Sequence, residues 1–165
     1  MPKRKIKHKP VNGYCFIIKP AEMLESQAYR NLDSIARDLL DEFLIICTPS
    51  RNGRISLTTK KAAERIGVSE NTILGRFDML VAHGFIVMTK GEVWVERMAR
   101  EWRITCIECN GKEPTNDWEL WTPGNPVRIT SREKRRSKKL KQTASENKAP
   151  LPERLKQNPK SGINT

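Results

Sequence analysis

Between Thr58 and Gly84 the order of stop and start residues leaves few folds open. Thr58 or Thr59 can cap a helix that runs to Ile66, with Ala62, Ala63 and Ile66 on its inner side. A capping hydroxyl accepts one of the backbone N–H groups that a helix start leaves unbonded. Gly67 stops that helix, because glycine enters the left-handed backbone region without steric cost. Val68 plugs inward, and Ser69 caps again. From there Ile73, Phe77 and Leu80 recur at intervals of four and three, which makes one buried stripe of a second helix. Gly84 ends it. The spacing predicts helices over 58–66 and 69–83, crossing steeply about a short glycine turn.

The flanking segments supply a core for this pair. Asp33 or Ser34 can cap an earlier helix whose apolar residues Ile35, Ala36, Leu39, Leu40, Phe43 and Cys47 form one stripe. Arg37, Asp38, Asp41 and Glu42 fall on its opposite, wet face. Pro49 stops it, Arg51-Asn52-Gly53 is a turn signal, and Ile55-Ser56-Leu57 reads as a short strand. After Gly84, Phe85–Thr89 and Trp102–Ile107 are β-rich and read as an antiparallel pair. Ile66, Val68, Ile73, Phe77, Leu80, Ile86 and Trp102 are expected to share one core. Trp118, Leu120 and Trp121 are expected to pack back on it. The class is mainly α with a small β-hairpin, that is α+β.

Charge divides the chain into three parts. The formal net charge is +12 over 165 residues. Residues 1–10 carry five Lys/Arg and no acid, and residues 123–165 carry twelve Lys/Arg against three Glu. Residues 11–122 hold 14 basic and 16 acidic residues. We therefore expect a disordered basic arm over 1–12, a folded domain over 13–122 and a disordered basic tail over 123–165. Basic ends beside a balanced core point to a polyanionic partner, most often nucleic acid. A solubilising tail or an anionic membrane surface fits the same charge.

Several classes are disfavoured. No apolar run approaches the ~20 residues of a membrane span, and the stretch Tyr14–Ile18 is too short for a secretory signal; a cytoplasmic location is expected. Cys15 and Cys47 read as buried small hydrophobes. Cys106 and Cys109 form one CxxC, which offers two of the four ligands a structural zinc takes, and no metal or redox site is expected. His8 and His83 show no metal-ligand spacing. There is no phosphate-binding GxxxxGK[ST] loop and no nucleophile motif. Neither an enzyme nor a cofactor is expected.

The stretch Ala62-Ala63-Glu64-Arg65-Ile66-Gly67-Val68-Ser69, with Thr72-Ile73, Leu80 and Gly84-Phe85-Ile86, resembles the winged helix-turn-helix of bacterial and phage proteins. The GntR-like and phage replication-initiator-like groups share the pattern. Met23-Leu24-Glu25-Ser26, Asn52-Gly53-Arg54-Ile55, Glu101-Trp102-Arg103-Ile104-Thr105 and Asp117-Trp118 widen the likeness to a phage-associated and proteobacterial group of such proteins. The element order helix, strand, helix, helix, strand, strand is the winged-helix topology. The resemblance implies a double-stranded DNA partner, a recognition helix over 69–83 and a wing over 85–107. It also implies a transcriptional or replication role, bacterial nucleoid-associated or phage-encoded. Oligomeric state stays open, a dimer included.

On that reading the duplex faces Lys60, Lys61, Ser69, Glu70, Asn71, Thr72, Arg76, Lys90 and Arg97. Asn71 suits adenine, Arg76 guanine or phosphate, and Glu70 cytosine. Ser69 and Lys60 are placed for phosphate. The helix departs from the family habit, since Arg76 is its one cation among the outward candidates Glu70, Asn71, Leu74, Gly75 and Asp78. Lys60 and Lys61 also fit a solvated face, and Lys90, Arg97, Arg100 and Arg103 also fit surface pairs with Glu92, Glu96 and Glu101. Arg132, Lys134, Arg135, Arg136, Lys138, Lys139 and Lys141 are the candidates for nonspecific nucleic-acid contact. A protein-interaction adaptor is the alternative, and an RNA-binding protein, lacking the usual aromatic signatures, is a third reading.

Overall fold

The computed structural model describes residues 17–91 and 100–146. Among them are six α-helices, an antiparallel strand pair and one 3-10 turn. They run α1 (Ala21–Glu25), α2 (Gln27–Arg30), α3 (Ser34–Ile46), α4 (Thr59–Ile66), α5 (Glu70–Ala82), β1 (Ile86–Lys90), β2 (Glu101–Ile104), the turn Asp117–Leu120 and α6 (Ser131–Glu146). The architecture is mixed α+β. No helix among the described residues is long and apolar enough to cross a membrane. The chain divides into two compact units, one up to Ser131 and one from Arg132.

The helix starts are fixed as the side chains dictate. Ser26, Asp33, Thr58 and Ser69 accept from the backbone N–H groups of Tyr29, Ala36, Lys61 and Thr72. Gly67 adopts the left-handed conformation at the end of α4, and its N–H donates to the Ala63 carbonyl at 2.9 Å. Substituting such a capping Ser, Thr or Asp by Ala costs about 0.5–2 kcal/mol. The two helices expected over 58–66 and 69–83 are present, each one or two residues shorter than the sequence implies.

The core of the first unit joins α3, α4, α5 and the strand pair. Ile73, Phe77, Leu80, Ile86 and Trp102 are buried in it with Leu39, Leu40 and Phe43. Ile66 and Val68 pack against it half-buried. The Phe77 ring lies 5.6 Å from Phe43 and 5.0 Å from Trp102, centroid to centroid. Helices α3, α4 and α5 bury their apolar stripes against one another, as the stripe of α3 implies.

Two strand expectations need correction. Ile55-Ser56-Leu57 is not a strand; it makes a single bridge, Ile55 to Trp102. Ile55 and Leu57 are nonetheless buried. The second strand ends at Ile104, before Ile107. Just past it the Thr105 N–H still donates to the Phe85 carbonyl at 3.0 Å, and the Thr105 hydroxyl turns inward and donates to the Gly84 and Phe85 carbonyls at 2.7 and 3.1 Å. In the pair itself Ile86 faces Ile104 and Met88 faces Trp102, with an irregularity between Met88 and Lys90.

The segment after β2 folds back over the C-terminal end of α5. Gly84 is the close-approach point. A Cβ there would lie 2.7 Å from the Asp117 carbonyl carbon, and its φ of +80° also favours glycine. Trp121 stacks on His83 with centroids 4.5 Å apart. The Val127 N–H donates to the Ala82 carbonyl at 2.8 Å. Trp118 and Trp121 are buried as expected, but Leu120 is 71% exposed. The 3-10 turn rotates its side chain outward.

The second unit corrects the expected tail over 123–165. Residues 131–146 form helix α6. Lys, Arg, Leu, Gln, Ala and Glu are good helix formers. A shortage of apolar residues argues against a packed core and says nothing against helix propensity. The expected arm over 1–12, Arg97 of the expected wing, and the chain from 147 onward lie outside the described residues.

Candidate nucleic-acid interface

Lys60 and Lys61 sit in the first turn of α4, both exposed. Ser69 stands at the start of α5. Its hydroxyl accepts from the Thr72 N–H at 3.2 Å and lies 2.9 Å from the Thr72 hydroxyl. Both hydroxyls are thus committed to the helix start, which holds the first turn in one geometry. Glu70 and Asn71 follow at once and are exposed, while Thr72 is half-buried. Asn71 is therefore the exposed amide donor and acceptor on α5's first turn.

The structure does not bring Arg76 to the same exposed surface as an unpaired cation. Its guanidinium lies 2.7 Å from the Asp33 carboxylate, the residue that caps α3. That pairing spans two helices and was invisible to the local reading of α5. Asp78, expected to face outward, is buried. Leu74 and Gly75 are half-buried. The outward face of α5 narrows to its first turn because α3 packs along the rest.

Around the strands Lys90 meets one of the expected carboxylates, and Arg103 meets a different one. Lys90 is exposed and lies 3.4 Å from Glu101. Arg103 donates to the Thr115 hydroxyl at 3.1 Å and stands 3.8 Å from Asp117, which Arg128 approaches to 2.6 Å. These two arginines hold the returning segment in place. In the second unit Lys134, Arg135, Arg136, Lys138, Lys139 and Lys141 are exposed along α6, and Arg132 is half-buried.

Two cations escaped the sequence reading. The sequence places Arg51 in a turn signal and Arg54 only within the wider resemblance, and gives neither a contact. Both are exposed, and with Lys61 and Arg65 they line an open groove of about 350 Å³ whose apolar side is Ile46 and Leu57. The signal was present as two arginines three residues apart around Asn52-Gly53.

The thiols are held inert. Burial pushes the Cys47 thiol up to about 12 and the Cys106 thiol up to about 11, so both stay protonated near neutral pH. Cys109 donates to the Asn52 carbonyl at 3.0 Å. Among the described residues no group of three or more His, Cys, Asp or Glu side chains is placed to hold a metal ion.

No family model matches the chain, and neither a curated protein nor a solved structure matches it significantly.

Proposed function

We propose that this chain is a winged helix-turn-helix protein that binds double-stranded DNA, as a transcriptional regulator or replication accessory factor of a phage or mobile element. The observation that carries the reading is the unit α4–Gly67-Val68-Ser69–α5 followed at once by the pair β1–β2. Two capped helices about a three-residue glycine turn, with a strand pair behind, are the layout of that fold. Asn71 then supplies base readout from the first turn of α5, and Lys60 and Lys61 supply phosphate contact. Helix α6 adds affinity without sequence preference.

The test is selection of a preferred duplex from random sequence, followed by titration of wild type and Asn71→Ala. The variant is expected to lose about 1–3 kcal/mol on the preferred site and nothing on random DNA. Equal weakening on all DNA, or no change, sinks the readout.

A second reading, a protein-interaction module, is favoured by the Arg76–Asp33 pair. With its one cation paired and Glu70 exposed, α5 presents little positive field to a phosphate backbone. Failure of the Asn71 test combined with retained nonspecific binding would favour this reading.

A further inference from the structure

The turn that carries Arg51 and Arg54 is anchored far more firmly than a connecting loop requires. Asn52 is wholly buried. Its side-chain amide donates to the carbonyls of Ile104, Ile107 and Glu108 at 2.9, 2.8 and 3.2 Å. Its Oδ1 accepts from the Ile104 N–H at 2.7 Å. The Thr89 hydroxyl donates to the Gly53 carbonyl at 2.8 Å. The backbone N–H groups of Arg51 and Asn52 both donate to the Thr48 carbonyl. The inner half of the motif Asn52-Gly53 is thus locked to both strands. Its outer half is two exposed arginines whose backbone cannot wander.

Across the groove, Lys61 and Arg65 stand one helical turn apart on α4. Arg65 is partly offset by Glu42 at 2.6 Å. Arg51, Arg54 and Lys61 have no carboxylate partner among the described residues, and no acid lines the groove. Exposed, unpaired cations held on rigid backbone are what a polyanion needs, because little order is lost on binding. Arginine's planar fork matches phosphate oxygens in a bidentate way.

We propose that this groove is a second docking site of the folded unit, and that it takes the phosphodiester backbone of nucleic acid. The choice of a phosphate polymer follows from the chain itself. Its basic ends already point to such a polyanion, and an open trough lined by four cations suits a repeating phosphate better than an enclosed small ligand. The proposal deepens the DNA-binding reading but does not need Asn71 to read bases. It explains how a unit whose α5 has its one cation paired can still grip a duplex.

The experiment uses the full chain and a fluorescent random-sequence duplex over a salt series. Two released phosphate contacts change the slope of log K against log salt by about 1.8. The double variant Arg51→Gln, Arg54→Gln is expected to flatten the slope by about that amount. The charge-preserving double variant Arg51→Lys, Arg54→Lys is expected to keep it. Thermal midpoints of both are expected to match wild type, since the anchoring residues Asn52 and Gly53 are untouched. An unchanged slope in the Gln variant overturns the proposal, as does a slope flattened equally by the Lys variant. The two readings fail separately. If Asn71→Ala leaves sequence preference intact while the Gln variant flattens the slope, the groove stands and base readout falls. If Asn71→Ala relaxes preference while the slope is unchanged, the groove falls alone.

Discussion

Arg76 on α5 and Asp33 at the start of α3 form an ion pair at 2.7 Å, while the other Asp33 oxygen accepts the Ala36 N–H at 2.8 Å. One carboxylate therefore caps one helix and restrains the single cation of another. Asparagine caps as well as aspartate but carries no charge. Asp33→Asn should keep the cap and lose only the pair, worth about 0.2–1 kcal/mol for groups this exposed. Released, Arg76 adds one cation to the face of α5. Duplex affinity is expected to rise and the salt slope to steepen by about 0.9. Fluorescence titration of wild type and variant reads both. Unchanged binding would place α5 away from the duplex.

Phe77 ties the site to the core. Its ring is 4% exposed and packs on Phe43 and Trp102. Phe77→Ala removes most of that contact and leaves a cavity, at a cost of about 3–5 kcal/mol. Urea denaturation measures it. A loss under about 1 kcal/mol would contradict the burial of the ring.

His83 makes stability depend on pH. Burial lowers its pKa, and the hydrogen bond from Nδ1 to the Met79 carbonyl, 2.8 Å, offsets that only in part. The folded chain then takes up the proton at lower pH than the unfolded chain, whose histidine titrates near ~6.5. Stability contributed by neutral His83 is full above that value and is lost as pH falls through it. Urea midpoints are expected to be level from pH 8 to 7 and to drop between about 6.5 and 5, before carboxylates titrate near ~4. In His83→Gln the decline over that window should vanish. A decline that persists unchanged in the variant would assign it to another group.

The elements that sequence made legible were those set by local rules. Thr58, Ser69, Gly67 and the stripe Ile73, Phe77, Leu80 each act within one turn of helix, so spacing alone locates them. The interface was less legible because its decisive contacts are long-range. Asp33 meets Arg76 across 43 positions, and no window on α5 contains it. Asn52 shows the same limit from the other side. An Asn-Gly pair reads as an exposed turn, yet this asparagine is wholly buried because the open backbone groups of residues 104–108 need a partner. The sequence gives Arg51 and Arg54 no contact for that reason. Their role depends on Lys61 and Arg65, which only the fold brings to the same groove.

Helix α6 carries the last prediction. Lys134, Lys138, Lys139 and Lys141 are exposed along it. A helix holds such cations at fixed intervals, so they reach neighbouring phosphates with less ordering than an unstructured tail needs. Each phosphate neutralised contributes about −0.9 to the slope of log K against log salt. Replacing the four lysines by glutamine in the full chain preserves helix propensity, since the two residues are nearly equal as helix formers. The slope on random duplex is then expected to flatten by about 3.6 if all four contact phosphate. Circular dichroism before titration checks that α6 survives. Sequence preference should not change, because the proposed function assigns base readout to side chains of the folded unit, and phosphates carry no sequence. Loss of preference with the slope intact would reverse these roles and place readout on α6. An unchanged slope and unchanged preference would leave α6 as a solvated helix, and nonspecific affinity would have to come from Arg51, Arg54, Lys60 and Lys61.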